Sequence, residues 1–293
     1  MNKDKVLLLI SNNPKTDIFY NDYISRGYHT DVIIKDTNKL LKPFRRLCLK
    51  NNNFLNKLWL TDVFNKLDNY EVIIINMNRF TKYLPEIIHN KYPNLKIVAW
   101  YWNTVDNSNF DKKIDNPNIE YYSFDKSDCE MYGFKYNTQY YCDTNTVSKE
   151  KDSDVYFIGL PKGREEIIND FKNKAEQKNI NCNFKIIESY DDYLPYEIVK
   201  QETSKSKAVL EINKSDQNGL TLRSLESLFL EVKLITNNPN IKNYPFYNKN
   251  NIFILDEDNY DDLYDFINSP YDNSVNIYKK DYELDTWFNN FFI

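Results

Sequence analysis

Short apolar runs that alternate with helical patterns constrain this chain more than any other feature. Residues 5–11, 30–35, 72–76 (VIIIN), 95–102, 119–124 and 136–142 read as strands in the first half. Residues 16–26, ended by Gly27, and 82–90 repeat their apolar side chains at helical spacing. The second half repeats this order, with strands at 154–159, 184–188, 208–212, 233–236 and 251–255. Helices are predicted within 160–177, at 196–204, from residue 222 and at 260–268. Strands that are apolar throughout and separated by helices are buried on both faces, which is the condition of a parallel sheet. The prediction is an α/β chain with right-handed crossovers and two doubly wound, Rossmann-like domains.

The polar, aperiodic stretch 143–153 (DTNTVSKEKDS) reads as the linker, dividing the chain into residues 1–145 and 146–293. The aromatic tail YELDTWFNNFFI needs burial, and a helix is predicted there, with the first domain as one surface it can pack back on.

Composition removes several function classes. The net charge is −5, so nothing in the overall balance draws the chain to nucleic acid. Only 5 glycines are present and neither GxGxxG nor GxxxxGK[ST] occurs, so bound phosphates must be held without a glycine-rich loop. Cys48, Cys129, Cys142 and Cys182 form no CxxC pair, which argues against a zinc site or a disulfide framework and fits a reducing cytoplasm. No apolar stretch is long enough to span a bilayer, and the run 6–10 is too short for a signal-peptide core. His29 and His89 sit in a turn and near a helix end, with no spacing that marks a catalytic pair.

Chemistry concentrates in residues 216–238, DQNGLTLRSLESLFLEVKLITNN. Asn218-Gly219 is a turn signal before a helix whose first turns carry Arg223 and Glu226. A helix N-terminus favours an anion, Arg pairs with phosphate, and a carboxylate accepts from a ribose hydroxyl; together they read as a nucleotide site. The alternative is an ordinary surface pair at i,i+3, worth little. Gly159, Lys162 and Arg164 follow the first strand of the second domain and suit a diphosphate at the same edge. Trp102 and Asn103, after a strand of the first domain, pair a flat apolar face with hydrogen-bonding groups as a sugar acceptor needs. Trp100 fits core packing better. Asp256-Glu257-Asp258 reads as acidic capping of a helix start, and no metal is expected.

Residues 39–60, KLLKPFRRLCLKNNNFLNKLWL, carry Lys39, Lys42, Arg45, Arg46, Lys50 and Lys57 and no acidic residue, interleaved with Leu, Phe and Trp. The segment reads as an interface for anionic lipid or a phosphate-bearing acceptor, or as a helix pair with a solvated basic face.

The stretches DVYFIGLPKGREE, NGLTLRSLESLF and KLITNNPNIKNYPFYNKNNIFIL, and more weakly YYSFDKSDCEMYGFKYNTQYY, resemble GT-B-fold glycosyltransferases of bacterial lipopolysaccharide and capsular polysaccharide assembly. That resemblance implies two Rossmann-like domains facing across a cleft, with the acceptor on 1–145 and the nucleotide-sugar donor on 146–293. Many members carry a Glu-x7-Glu motif; Glu226 matches its second position, on the donor ribose, whereas the first falls on Asn218. The resemblance implies metal-independent sugar transfer to a lipid-linked glycan by a peripheral protein at the inner face of the cytoplasmic membrane. Arg223, Lys162 and Arg164 are then expected on the diphosphate, Asn218, Gly219 and Gly159 near donor sugar or phosphate, and Trp102 and Asn103 on the acceptor. Asp106 and Asp125 are the candidate bases for an inverting course. A non-catalytic nucleotide- or sugar-binding protein is the alternative.

Overall fold

The computed structural model describes residues 2–10, 19–50, 54–142, 148, 150–161, 163–188, 192–214 and 217–293. The chain divides into two compact units, residues 1–138 with 288–293, and residues 139–287.

The first unit is built on a parallel sheet in the order β2-β1-β3-β4-β5-β6. Its strands are β1 (Val6–Ile10), β2 (His29–Val32), β3 (Val72–Asn76), β4 (Lys96–Tyr101), β5 (Ile119–Ser123) and β6 (Lys135–Tyr136). Alternate side chains of the central strands serve opposite faces. Leu7, Leu9, Ile73, Ile75, Ile97 and Ala99 join one cluster with Leu84 and Ile88 of helix α3 (Leu84–Lys91). Trp100 and Tyr122 alternate to the other face, where Phe291 meets their rings edge-on at 5.9 and 4.9 Å. The aromatic tail is therefore structural in this unit: burying a phenylalanine of this kind contributes about 2 kcal/mol.

Two other helices frame this unit's surface. Helix α1 (Tyr20–Ser25) precedes β2, and helix α2 (Lys42–Lys50) is followed by a 3-10 turn, Phe54–Trp59. The start of the helix predicted from residue 16 lies outside the described residues. The strand predicted at 136–142 shrinks to Lys135–Tyr136, which pairs with the end of β5. Helix α4 (Lys126–Tyr132) was not predicted; Asp125 caps its start and Gly133, at φ +66°, closes its end.

The second unit has a parallel sheet in the order β11-β10-β9-β7-β8. Its strands are β7 (Ser153–Gly159), β8 (Cys182–Ile186), β9 (Ser206–Glu211), β10 (Lys233–Thr236) and β11 (Ile252–Ile254). Helices α5 (Glu165–Gln177) and α8 (Leu263–Asn268) bury Ile168, Phe171, Leu263 and Ile267 with Val155, Phe157, Ala208 and Leu210. Helices α6 (Tyr196–Ser204) and α7 (Leu222–Phe229) pack on β7, β9 and β10, and α7 buries Ser224 through Phe229. Helix α9 (Leu284–Asn289) carries the chain into the tail.

The sheet reverses direction at β7: the chain moves outward to β8 and then returns to β9 on the other side of β7. In open parallel sheets this switch point, at the carboxyl ends of the two central strands, is where ligands bind. It falls between Gly159 and Glu211.

Candidate functional site

The predicted donor residues that the structure describes converge on that carboxyl edge of the second sheet. Helix α7 begins there, with Thr221 as its cap: the hydroxyl accepts from the Arg223 N–H at 3.0 Å and the Ser224 N–H at 3.4 Å. No acidic side chain of the helix itself occupies its first turn.

Arg223 and Glu226 are a buried pair, not the exposed one that i,i+3 spacing allows. Arg223 Nη1 donates to Glu226 Oε2 at 2.7 Å, and Glu226 is 2% exposed. The other carboxylate oxygen accepts from the Tyr196 hydroxyl at 2.9 Å, and the Tyr196 oxygen in turn accepts from the Tyr141 hydroxyl at 3.2 Å. Burial first, and then the Glu226 charge, push Tyr196 far above its ordinary value, so it remains a neutral donor. Arg223 Nη1 also meets Thr203 Oγ1 at 3.3 Å, while Nη2 donates to the Ile158 carbonyl at 3.2 Å. A guanidinium has five N–H groups, so these bonds leave Nε–H and one Nη2–H for another acceptor.

Beneath the helix start lies a carboxylate that the sequence reading passed over. Glu211, buried at the end of β9, accepts from the hydroxyls of Thr221, of Ser224 at 2.7 Å and of Thr236 at 2.6 Å. Its signal was visible, since a charged residue inside the apolar run AVLEI must be satisfied by partners when buried. Next along the chain, Asn213 exchanges bonds with Asn237, its N–H to Asn237 Oδ1 at 2.7 Å and its carbonyl from Asn237 Nδ2 at 3.1 Å. Asn213 Nδ2 is buried and has no hydrogen-bond partner among the described residues. A buried donor of this kind at a switch point is one a ligand can satisfy.

Other predicted residues take different parts. Asn218 anchors the preceding loop, its Oδ1 accepting from Asn240 at 3.0 Å and its carbonyl from Asn238 at 3.4 Å; Gly219 is buried beside it. Arg164 donates to the carbonyls of Pro161 at 3.0 Å, Leu160 at 2.8 Å and Ile212, stapling the loop after β7 to the end of β9. Burial pulls its guanidinium below the ordinary value, opposed by Glu165. Lys162 lies outside the described residues. Gly159 belongs to the strand, its carbonyl accepting from Ile187, and a Cβ there would meet the Phe157 ring at an ordinary 3.5 Å. The conformationally required glycine of this loop is instead Gly163, at φ +79°.

In the first unit, Trp102, Asn103, Asp106 and Asp125 all follow the carboxyl ends of β4 and β5. Trp102 is half-buried, edge-on to Phe19 with ring centroids 6.5 Å apart, and Asn103 is exposed. Exposed Asp106 holds its own turn, Oδ1 accepting from the N–H groups of Ser108 at 2.7 Å and Asn109 at 3.2 Å. Asp125 is 1% exposed and its Oδ1 accepts from the Ser127 N–H at 2.8 Å. That is a helix cap's task.

Among the described residues no group of His, Cys, Asp and Glu is arranged to hold a metal ion. The acidic triplet does not cap a helix as predicted. Asp256 adopts φ +66°, Asp258 closes a turn by accepting from the Ile254 N–H at 2.6 Å, and Asn259 supplies the cap.

No family model matches the sequence, and no curated protein does. Among solved structures the chain is similar to the Anabaena protein HepE in complex with UDP-glucose, at 10% identity over 97% of each chain, with a TM-score of 0.52. It is likewise similar to HepE in complex with UDP, at 9% identity over 98% of each chain and a TM-score of 0.51. The likeness shows a shared fold of two successive parallel-sheet, Rossmann-like units.

Proposed function

We propose that this chain is a glycosyltransferase that moves a sugar from a nucleotide-activated donor to a lipid-linked glycan acceptor, in lipopolysaccharide- or capsule-type polysaccharide assembly. The observation that carries the reading is the switch point of the second sheet. There the hydroxyl-capped N-terminus of α7, the remaining N–H groups of Arg223 and the buried amide of Asn213 share one strand edge. Preorganised donors of this kind stabilise the charge that builds on a departing diphosphate without needing a metal. The fold likeness to a protein in complex with UDP-glucose supports the same reading.

In this proposal Arg223 meets a phosphate oxygen, and Glu226, held by Tyr196, orients the guanidinium; the ribose contact expected of Glu226 would require it to leave one of these partners. Arg164 shapes the loop through its carbonyl bonds. Trp102 and Asn103 are assigned to the acceptor, and Asp106 is the exposed carboxylate assigned as base for an inverting course. A lipid-linked acceptor places the reaction at the cytoplasmic face of a membrane.

Calorimetric titration with a panel of nucleoside diphosphates, followed by assay of nucleotide release from the matching nucleotide sugars, tests this reading. At least one diphosphate binds, Arg223→Gln and Asn213→Ala each weaken it about tenfold or more, and turnover persists in EDTA. Absence of binding to every nucleotide would sink the proposal. Binding without turnover on any donor and acceptor pair would leave a non-catalytic nucleotide- or sugar-binding protein.

A further inference from the structure

The surface of α2 and the 3-10 turn after it carries a pattern that sugar transfer does not use. In the turn before the helix Asn38 Oδ1 accepts from the Leu41 N–H at 3.0 Å, and the Arg45 N–H bonds the Leu41 carbonyl at 2.9 Å. Within the helix, spacing places Phe44 and Leu47 in one stripe and Lys42 and Arg46 in the next, and Lys39 and Leu40 lie in the turn that leads into it. The core side of the helix is taken by Cys48 and Leu49, both buried. Leu40, Leu47 and Phe44 point away from that core at 89%, 61% and 46% exposure. The 3-10 turn packs beside α2, with the rings of Phe44 and Trp59 in edge contact at 6.1 Å, and adds exposed Lys57 and Leu58, the latter at 58%. Arg45 is engaged otherwise, donating to the Lys35 carbonyl at 2.7 Å beside Asp36 at 3.6 Å, so it stands outside the basic stripe.

Apolar side chains this exposed on a soluble surface mark a place where something else is bound. The charge pattern names the occupant: residues 39–60 hold no acidic side chain, and cations flank the apolar side chains. A stripe of Leu and Phe bordered by Lys and Arg matches the boundary between anionic headgroups and acyl chains.

We propose that Leu40, Phe44, Leu47 and Leu58, with Lys39, Lys42, Arg46 and Lys57, dock this protein on a bilayer containing anionic lipid. The leucines and phenylalanine enter the acyl boundary while the cations meet the headgroups. The surface is argued from its own residues and stands whether or not the chain transfers a sugar.

Co-sedimentation of the full chain with vesicles of phosphatidylglycerol and phosphatidylethanolamine tests the proposal, beside vesicles of phosphatidylcholine alone. The chain partitions onto the anionic vesicles, and added salt weakens the binding. The variant Leu40→Ser/Phe44→Ser/Leu47→Ser loses at least about tenfold in partitioning, because three apolar contacts go. Lys39→Glu/Arg46→Glu loses about fivefold or more for each charge removed. All substituted positions are exposed, so circular dichroism and thermal melting should match the parent, and nucleotide binding is unchanged in both variants. Equal binding to neutral vesicles, absence of binding to anionic ones, or retention by the serine variant would each overturn the proposal. So would a soluble acidic polymer that binds the parent and serine variant alike and displaces both from vesicles, because the surface would then be a purely electrostatic protein or polyanion site.

Discussion

Helices α4 and α7 begin at equivalent places, each after a parallel strand at the carboxyl edge of its sheet, yet their N-termini are electrostatically opposite. Helix α4 is filled by its own carboxylates: Asp125 caps it, and Asp128 in the first turn accepts from the Val105 N–H at 3.0 Å and the Ser123 hydroxyl at 2.9 Å. Helix α7 is capped by a neutral hydroxyl and has a guanidinium in its first turn. The carboxylate that steadies it, Glu211, lies one layer below on β9 and reaches the helix through the hydroxyls of Thr221 and Ser224. A cap of the first kind spends the helix dipole on folding, whereas one of the second kind leaves it directed at a ligand.

The comparison can be broken most severely at Glu226. Glu226→Ala leaves Arg223 largely buried without its carboxylate partner, and urea denaturation should show a loss of about 3 kcal/mol. Glu226→Gln, whose amide oxygen still accepts from Arg223 while its NH2 faces the Tyr196 hydroxyl oxygen as a donor, should lose less than half as much. Next comes Thr221→Asp, which gives α7 the kind of cap that α4 has. Its carboxylate would face Glu211 in a buried site, so we expect a loss of about 2 kcal/mol together with at least about a tenfold loss of nucleoside diphosphate affinity by calorimetry.

Thr221→Ala removes the cap without adding charge and should cost about 1 to 2 kcal/mol in the same denaturation experiment. The smallest effect is expected at the other helix. Asp125→Ala should lower stability by about 1 kcal/mol and leave nucleotide affinity at the parent level, because its carboxylate caps α4 in the other unit of the chain. A large affinity change in that variant would erase the contrast between the two helix starts.

Much of this was legible from local pattern. VIIIN at β3, the helix at 196–204 and the strand at 233–236 fall where apolar periodicity puts them, because burial on both faces leaves a signal that needs no knowledge of distant partners. The ends of helix α4 carry a local signal too, Asp125 at its start and Gly133 after its end. What the site adds from elsewhere in the chain was not legible. Tyr196 reaches Glu226 across 30 positions of sequence, and Arg164 reaches the Ile212 carbonyl across 48, so no window of neighbouring residues contains both partners. The buried character of the Arg223 and Glu226 pair is illegible for the same reason: i,i+3 spacing gives adjacency and says nothing of which face the helix buries.

Glu211 also sets how this part of the molecule can open. Its hydroxyl partners come from the cap of α7, the first turn of α7 and the end of β10, so none can separate from β9 without stranding a buried carboxylate. The first turn of α7 and the last residues of β10 therefore belong to one cooperative opening unit. In hydrogen exchange their amides should share a single protection free energy, and any ligand held by α7 should raise the protection of β10, which need not touch it.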